Sequence, residues 1–379
     1  MRPSEPTPDS FRPTSDWPRT MALVGTGLMG GSLGLAARSR FPDLTVVGWD
    51  DPATMQMALR TGAISQAGSS LAETVRGADL VVVCTPVGTA LDILGEIGES
   101  VSDHAVITDI GSVKQPVATR ASKVLPSSVL FIGGHPMTGS EKSGVEHADA
   151  LLYENATWIL TPPAHEDARY HGLVSFLGRL GARIMELPAD RHDAIAARVS
   201  HLPQLLAVLL VNVISSDRHR YPELLEMAAG GFRDMTRIAS SPFAMWRDIL
   251  ASNDREIHAV LSAFSDRLQA LSNAVRDADL PSIAASFNDA EQTRDFVPSD
   301  RKGFLHPLSN IYVFADDKPG ALVRITSTLF DARINIRDIE LLRIREGTGG
   351  TFRLGFVSPE HATSAVEALT EVGIRAYRL

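Results

Sequence analysis

The sequence predicts an α/β protein in three parts: an open parallel sheet flanked by helices, an all-helical segment, and a small βαββαβ module. Three observations predict it. From Thr20 onward short apolar runs alternate with helical patterns, and the first run turns through Gly25-Thr-Gly27-Leu-Met-Gly30 into a helix. From Pro188 the strand-like runs stop and long apolar helical patterns take over. From residue 309 strands and helices resume in the order βαββαβ, within a length common for a small domain.

Composition sets the outer limits. The chain has 379 residues, 44% hydrophobic and 21% charged, which is ordinary globular usage and enough for two or three domains. A net charge of -9 argues against nucleic acid as a partner, because neutralising phosphates needs clustered Lys and Arg. Small metabolites are the expected partners. The single cysteine, Cys84, cannot form an internal disulfide and reads as a small buried hydrophobe in a reducing compartment. Residues 1–18 are rich in Pro, Ser and Thr, lack the apolar core of a secretory signal, and read as a disordered extension. The apolar stretch Leu202 to Ile214 contains Pro203, Gln204 and Asn212 and is too short to span a bilayer. A soluble cytoplasmic protein is expected, with no membrane partner and no metal site.

The first domain is expected over residues 19–187. Thr20 to Val24 is a short β run that enters the glycine turn, and Leu33 to Arg38 continues as helix. Strand, Gly-x-Gly-x-x-Gly turn and helix form the phosphate-binding arrangement of a dinucleotide fold: a tight turn, close backbone approach, and a helix N-terminus facing the pyrophosphate. A second strand, Leu44 to Trp49, ends in Asp50, ~20 residues beyond the last glycine, where a carboxylate accepts from the adenosine ribose hydroxyls. That favours NAD over NADP, since a carboxylate repels a 2′-phosphate; the alternative is a turn residue before Asp51-Pro52. Further strands are expected at Asp79 to Cys84, Ala105 to Asp109 and Val129 to Ile132, followed by Thr157 to Leu160, a helix from His165 to Leu180, and Ala182 to Glu186. In an open parallel sheet ligands bind at the C-terminal strand edge, so Thr85, Ser112 and His135 should lie near one another.

One stretch at that edge is dense in chemistry. Gly133-Gly-His-Pro-Met-Thr-Gly-Ser-Glu-Lys-Ser-Gly144 follows an apolar run and reads as a loop. His135 is its side chain best suited to moving a proton near neutral pH, although a Gly/Ser loop with one histidine is commonly a surface turn.

The second domain is expected over residues 188–297, with helices at Asp190 to Ala197, Leu202 to Ile214, Leu224 to Ala228, Pro242 to Asn253 and Asp254 to Asp277. Its leading helices are apolar on more than one face, which suits burial in a homodimer or a thick single-chain core. His201 and Gln204, three apart, share a helical face. His192 lies nine residues before His201, about half a turn away in angle on a straight helix, and reads as structural unless the helix breaks near Pro203. Residues 298–308 read as a linker. In the last module, 309–379, strands are expected at Asn310 to Ala315, Asn335 to Ile344, Thr351 to Val357 and Arg375 to Leu379, with helices at Pro319 to Asp331 and Pro359 to Glu371.

Four motifs, in order and at suitable spacing, resemble the prephenate dehydrogenase family, which includes arogenate and cyclohexadienyl dehydrogenases. They are Gly25-Thr-Gly-Leu-Met-Gly-Gly-Ser32, Asp109-Ile-Gly-Ser-Val-Lys114, the segment Gly133 to Gly144, and Gly230-Gly-Phe-Arg-Asp-Met-Thr-Arg-Ile-Ala239 with Trp246-Arg-Asp248. The last module, with Asp317-Lys-Pro-Gly-Ala-Leu322 and Ile334-Asn-Ile336, resembles an ACT regulatory domain. The first resemblance implies a Rossmann-like domain and NAD-dependent oxidative decarboxylation of prephenate in tyrosine biosynthesis, with His135 as proton acceptor and Ser112 hydrogen-bonded to it. It implies Arg237 on a substrate carboxylate, Glu141 near the site entrance, and His201 and Gln204 at the substrate. Cofactor contacts are expected from Gly25, Gly27, Leu28, Met29, Gly30, Asp50, Thr85 and Pro86. The ACT resemblance implies tyrosine as inhibitor, held by Pro319, Gly320, Ala321, Leu322, Asn335 and Ile336, or a module that only dimerises.

Substrate choice stays open on the sequence. Many prephenate-using relatives carry histidine where this chain has Gln204, and an amide can face either the keto group of prephenate or the amino group of arogenate. Arogenate or dual use, a related hydroxyacid dehydrogenase, and a non-catalytic NAD and amino-acid sensor are the other readings.

Overall fold

The computed structural model describes residues 17–139, 142–296, 308–316, 318–345 and 349–378. Residues 1–16 of the expected extension and 298–307 of the expected linker lie outside the described residues. Trp17 corrects the first of these boundaries: it is 9% exposed and meets Phe176 edge-on at 6.5 Å between ring centroids, so the packed core reaches back before Arg19.

The chain opens as β1 (Thr20–Val24), α1 (Leu28–Arg40), β2 (Thr45–Trp49), α2 (Pro52–Thr61), β3 (Gln66–Ala67), α3 (Leu71–Val75), β4 (Leu80–Val83), α4 (Val87–Ser100), β5 (Val106–Asp109), α5 (Gln115–Val124) and β6 (Leu130–Ile132). The strands form a six-stranded sheet in the order β3-β2-β1-β4-β5-β6. Met21 and Leu23 enter one apolar layer while Ala22 and Val24 enter the other, as a sheet covered on both faces requires. The order reverses between β1 and β4, and a crevice opens at the strand ends there. Val24 is in register with both Trp49 and Val83, so Gly25, Asp50 and the Cys84-Thr85 step leave the sheet at one edge.

The segment read as a loop begins as a strand. β7 (Gly134–Pro136) leaves the parallel sheet after Gly133 and pairs antiparallel with β8 (Thr157–Leu160), which pairs with β9 (Arg183–Glu186) beyond α6 (Ala168–Arg179); His135 stands opposite Ile159. Those strands do not extend the main sheet but form a second, three-stranded one. Glycine content suggested a turn, but the backbone of Gly134 and Pro136 is tied to a neighbouring strand that local sequence does not reveal.

α7 (Ala189–Ala196) runs through a π turn, Ala197–His201, into α8 (Leu202–Asp217) without a break. Ala189–Asp217 makes 29 consecutive helical residues, and one 18-residue window within it has a mean hydropathy of 1.6, so by length and composition alone it could cross a membrane, whereas the sequence suggested only a short apolar piece. α9 (Gly230–Thr236), a 3₁₀ turn at Arg237–Ser240, α10 (Phe243–Ser252), α11 (Asp254–Arg276) and α12 (Leu280–Asp295) follow. The helix expected at Leu224 to Ala228 is absent; a 3₁₀ turn, Pro222–Leu224, stands in its place.

The described residues up to 283 form one compact unit and those from 284 onward another, and the expected 187/188 boundary lies within the first. The second unit contains β10 (Ser309–Ala315), α13 (Ala321–Asp331), β11 (Asp338–Arg345), β12 (Gly349–Phe356), α14 (Pro359–Glu371) and β13 (Ala376–Tyr377), the predicted βαββαβ order. Its sheet runs β11-β12-β10-β13, and Ile311, Val313, Ile325, Leu329, Leu354 and Phe356 fill its core.

Candidate active site

The glycine turn is built for close approach. Gly25 has φ +98°, in the left-handed region, and a Cβ on Gly30 would collide with the Gly25 carbonyl oxygen. Gly27 caps α1 with no side-chain hydrogen bond and has open space where a Cβ would stand, leaving the first amides of a 13-residue helix available to an anion. Leu28 and Met29 open that helix, and Met29 O accepts 2.7 Å from the Tyr153 hydroxyl. Asp50 is anchored on the turn: its Oδ2 accepts from Thr26 N at 2.6 Å and its Oδ1 from Asp51 N at 2.8 Å. The helix-capping role belongs to Asp51, whose carboxylate accepts from Ala53 N and Thr54 N. Across the crevice Thr85 Oγ1 is buried without a hydrogen-bond partner among the described residues, beside the exposed Pro86 that caps α4. An open glycine cradle, an anchored carboxylate and an unpartnered buried hydroxyl at a switch point fit a dinucleotide.

Beside this crevice stands a connected group of buried polar side chains. Asp109, at the end of β5, and Lys114, at the N-terminus of α5, form an ion pair at 2% and 0% exposure. Lys114 Nζ also donates to Gly134 O, and Asp109 Oδ1 accepts from Gly134 N at 3.1 Å. The pair therefore holds the residue before His135 by both backbone groups. His135 Nδ1 lies 2.8 Å from His192 Nε2, and His192 Nδ1 lies 2.7 Å from Asp193 Oδ1. Asp193 is fixed in turn by Lys114 N at 2.7 Å and Gln115 N at 2.8 Å.

This overturns one expectation and decides a second. The partner of His135 Nδ1 is His192, not Ser112; Ser112 is half-buried on the loop after β5 and makes no hydrogen bond to His135 among the described residues. His192, which a straight helix would put on the far side from His201 and which reads as structural unless the helix breaks near Pro203, shares its buried face, and each is 1% exposed. The π turn is the cause. Leu202 N bonds Ala197 O, five residues back, and the extra residue turns nine positions into about eight, bringing the two rings within ~80°. Pro203 supplies the reason, since it lacks an N–H and its ring crowds the carbonyl four residues before it.

His201 is the second imidazole of the site. Asn253 Nδ2 donates to Asp193 O at 2.9 Å, which orients the amide, and lies 3.3 Å from His201 Nδ1. Nδ1 is thus an acceptor and Nε2 carries the N–H. The ring stands edge-on to Trp246 at 5.9 Å, and Trp246 Nε1 is buried without a partner among the described residues. Gln204, 5% exposed, donates from Nε2 to Ile238 O at 3.0 Å and keeps its carbonyl and one N–H. Arg237, the neighbour of Ile238, is exposed and forms no ion pair among the described residues. Glu141 lies outside the described residues.

Burial pushes the His135 pKa well below the usual imidazole value, with Lys114, His192 and His201 adding in that direction. Burial likewise lowers His201 to about 4. Both rings are neutral at pH 7, so the site holds a neutral proton acceptor rather than an imidazolium.

In the second unit Gly320, with φ +88°, caps α13. Gly320, Ala321 and Leu322 line an open cavity of about 300 Å³ together with Leu341 and Phe352, while Pro319 faces a neighbouring cavity. Asn335 and Ile336 precede β11 instead of lying within it and line neither; Ile336 packs on the core, and Asp317 lies outside the described residues.

Known proteins share this architecture. The model of the prephenate dehydrogenase nucleotide-binding domain matches residues 33–186, that of the prephenate dehydrogenase dimerization domain 188–289, and that of the ACT domain 309–373. The prephenate dehydrogenase of Bacillus subtilis (strain 168) is 37% identical over 358 residues, 93% of this chain and 96% of that protein. The chain belongs to the prephenate dehydrogenase family. It is an NAD-dependent oxidoreductase with a C-terminal ACT domain. The prephenate dehydrogenase of Aquifex aeolicus, solved with hydroxyphenyl propionate and NAD+, is 30% identical with a TM-score of 0.68 over 74% of this chain and 99% of that one. The arogenate dehydrogenase of Synechocystis is 27% identical with a TM-score of 0.65 over 73% and 99%. Prephenate dehydrogenase relatives thus include both substrate names. The motifs Gly25 to Ser32, Asp109 to Lys114 and Gly133 to Gly144 had already indicated this family.

Proposed function

We propose that this prephenate dehydrogenase relative oxidises and decarboxylates prephenate to 4-hydroxyphenylpyruvate, with His135 as the proton acceptor. The observation that carries the reading is the neutral His135 held beside the dinucleotide crevice, with its Nδ1 already hydrogen-bonded and its Nε2 left to meet a hydroxyl. NAD, when bound, accepts the hydride from the carbinol carbon. His135 Nε2 takes the hydroxyl proton as the C–O bond gains carbonyl character, a contribution of typically ~10² to 10⁴ in rate. Loss of the ring carboxylate as carbon dioxide leaves its electron pair in the aromatic ring, and the ring oxygen takes the proton back from His135. Protons balance, so the site has only to hold one proton and return it.

The remaining roles follow from chemistry. Asp50 receives the ribose hydroxyls and Thr85 Oγ1 finds a partner on the cofactor; Arg237 binds a substrate carboxylate as a planar fork, and the Nε2–H of His201 and Trp246 Nε1 offer donors to the substrate. Gln204 supports a second reading, because its free carbonyl can accept from the amino group of arogenate. Tyrosine is the proposed ligand of the ACT cavity. Leu209, Val213, Met235, Phe243 and Phe287 leave apolar surface exposed on the segment matched as a dimerization domain, which favours a homodimer, and a cytoplasmic location suits a biosynthetic enzyme.

The deciding experiment mixes purified protein with NAD and prephenate, then with arogenate, while NADH and carbon dioxide are followed. NADH with prephenate is expected, and none with either substrate would overturn the reading.

A further inference from the structure

We propose that His192 and Asp193 act as positioning residues that set the tautomer of His135, placing its proton on Nδ1 and its free electron pair on Nε2. At Asp193 the hydrogen-bond roles are unambiguous. Its Oδ1 accepts from Lys114 N at 2.7 Å and its Oδ2 from Gln115 N at 2.8 Å, so this carboxylate is the acceptor toward His192 Nδ1 at 2.7 Å. His192 Nδ1 therefore carries the hydrogen, and Nε2 of the same ring is the acceptor. Among the described residues the only group facing that nitrogen is His135 Nδ1 at 2.8 Å, which must donate. Each hydrogen bond dictates the next, and the last leaves Nε2 of His135 unprotonated.

Two further features support the assignment. His192 and Asp193 are 1% and 2% exposed, so water does not compete for these nitrogens. The same carboxylate grips the start of α5, whose Lys114 holds Gly134 against Asp109, so tautomer and ring placement share one anchor. Among the described residues, the charged and titratable groups that act on the His135 ring are Lys114 from the α/β part, itself paired with Asp109, and His192 and His201 from the α7–α8 helix, with Asp193 behind His192. When Nε2 takes the hydroxyl proton, the positive ring donates from Nδ1 to His192, whose Nδ1–H remains on the Asp193 carboxylate; the proton then returns to the ring oxygen and no bond in the chain is exchanged.

The inference rests on His135 being the proton acceptor, and its test is chosen to fail separately. Nitrogen-15 NMR of histidine-labelled wild-type protein at pH 7 reads the tautomer without substrate or mutation. His135 protonated on Nδ1 is expected, and an Nε2-protonated ring would overturn the proposal whatever the activity. Kinetics supply the second arm. His192→Phe should lower kcat by about 10²-fold with KM changed less than about threefold, and His192→Gln, which keeps an acceptor oxygen near the Nε2 position, should recover at least about tenfold of that loss. Wild-type kcat and an unchanged pH profile in His192→Phe would overturn it while leaving the activity itself standing; an inactive wild type would overturn the activity instead.

Discussion

Asp248 Oδ2 accepts a 3.0 Å hydrogen bond from the backbone N–H of Gly88, joining α10 to the first turn of α4. The carboxylate is 14% exposed and also meets Arg247 Nε at 3.0 Å. A negative group at a helix N-terminus satisfies an orphan amide and complements the helix dipole. Here it arrives from the helical segment and lands three residues after Thr85. Asp248→Ala should lower stability by ~0.5–2 kcal/mol in urea denaturation and raise KM for NAD more than it lowers kcat. A variant with wild-type KM would show that the contact serves stability alone.

His135→Asn should lower kcat by at least ~10² with little change in substrate affinity. Because burial depresses the pKa of this ring, it stays a free base through its ordinary titration range. The acid limb of the kcat/KM profile should therefore lie below pH ~6.5, the ordinary histidine value. A limb at or above that value would point to another proton acceptor.

Stability should fall on the acid side for a related reason. His201 is depressed to about 4 in the folded chain, so between there and ~6.5 the unfolded state binds a proton that the folded state refuses. Stability then rises with pH across that window and is lost as pH falls through it, by up to ~1.4 kcal/mol per pH unit for this ring. His135 adds in the same direction. Urea denaturation at a series of pH values reads the slope, and His201→Gln should reduce it.

Lys114 and Asp109 should prove costly to separate. Lys114→Met leaves a carboxylate buried without its cation, a loss of ~3–5 kcal/mol, and frees the Gly134 carbonyl beside His135. Replacing both partners, as Lys114→Met with Asp109→Leu, should cost less than the single change, because no charge is then stranded. Chemical denaturation of the three proteins makes the comparison.

Asp50→Ser should erode discrimination against NADP, since the anchored carboxylate that repels a 2′-phosphate is gone. The ratio of kcat/KM for the two cofactors measures it. An unchanged ratio would confine Asp50 to bracing the glycine turn.

The sequence by itself determined the class of fold, the glycine turn with its carboxylate, the family, and the βαββαβ order of the last module. These are local signals: strand alternation, helical periodicity and turn chemistry act over a few residues, so composition and spacing carry them. Only the tertiary structure decided that Gly134–Pro136 is a strand, that Trp17 belongs to the core, and that His192 instead of Ser112 meets His135. Asp193 and Lys114 had sequence hints, an acid beside a histidine and a lysine closing a motif, but nothing local says they meet across 79 residues. The π turn is the irregularity near Pro203 on which the reading of His192 depended: a single extra residue, admitted ahead of Pro203, rotates everything before it and brings two imidazoles onto one buried face.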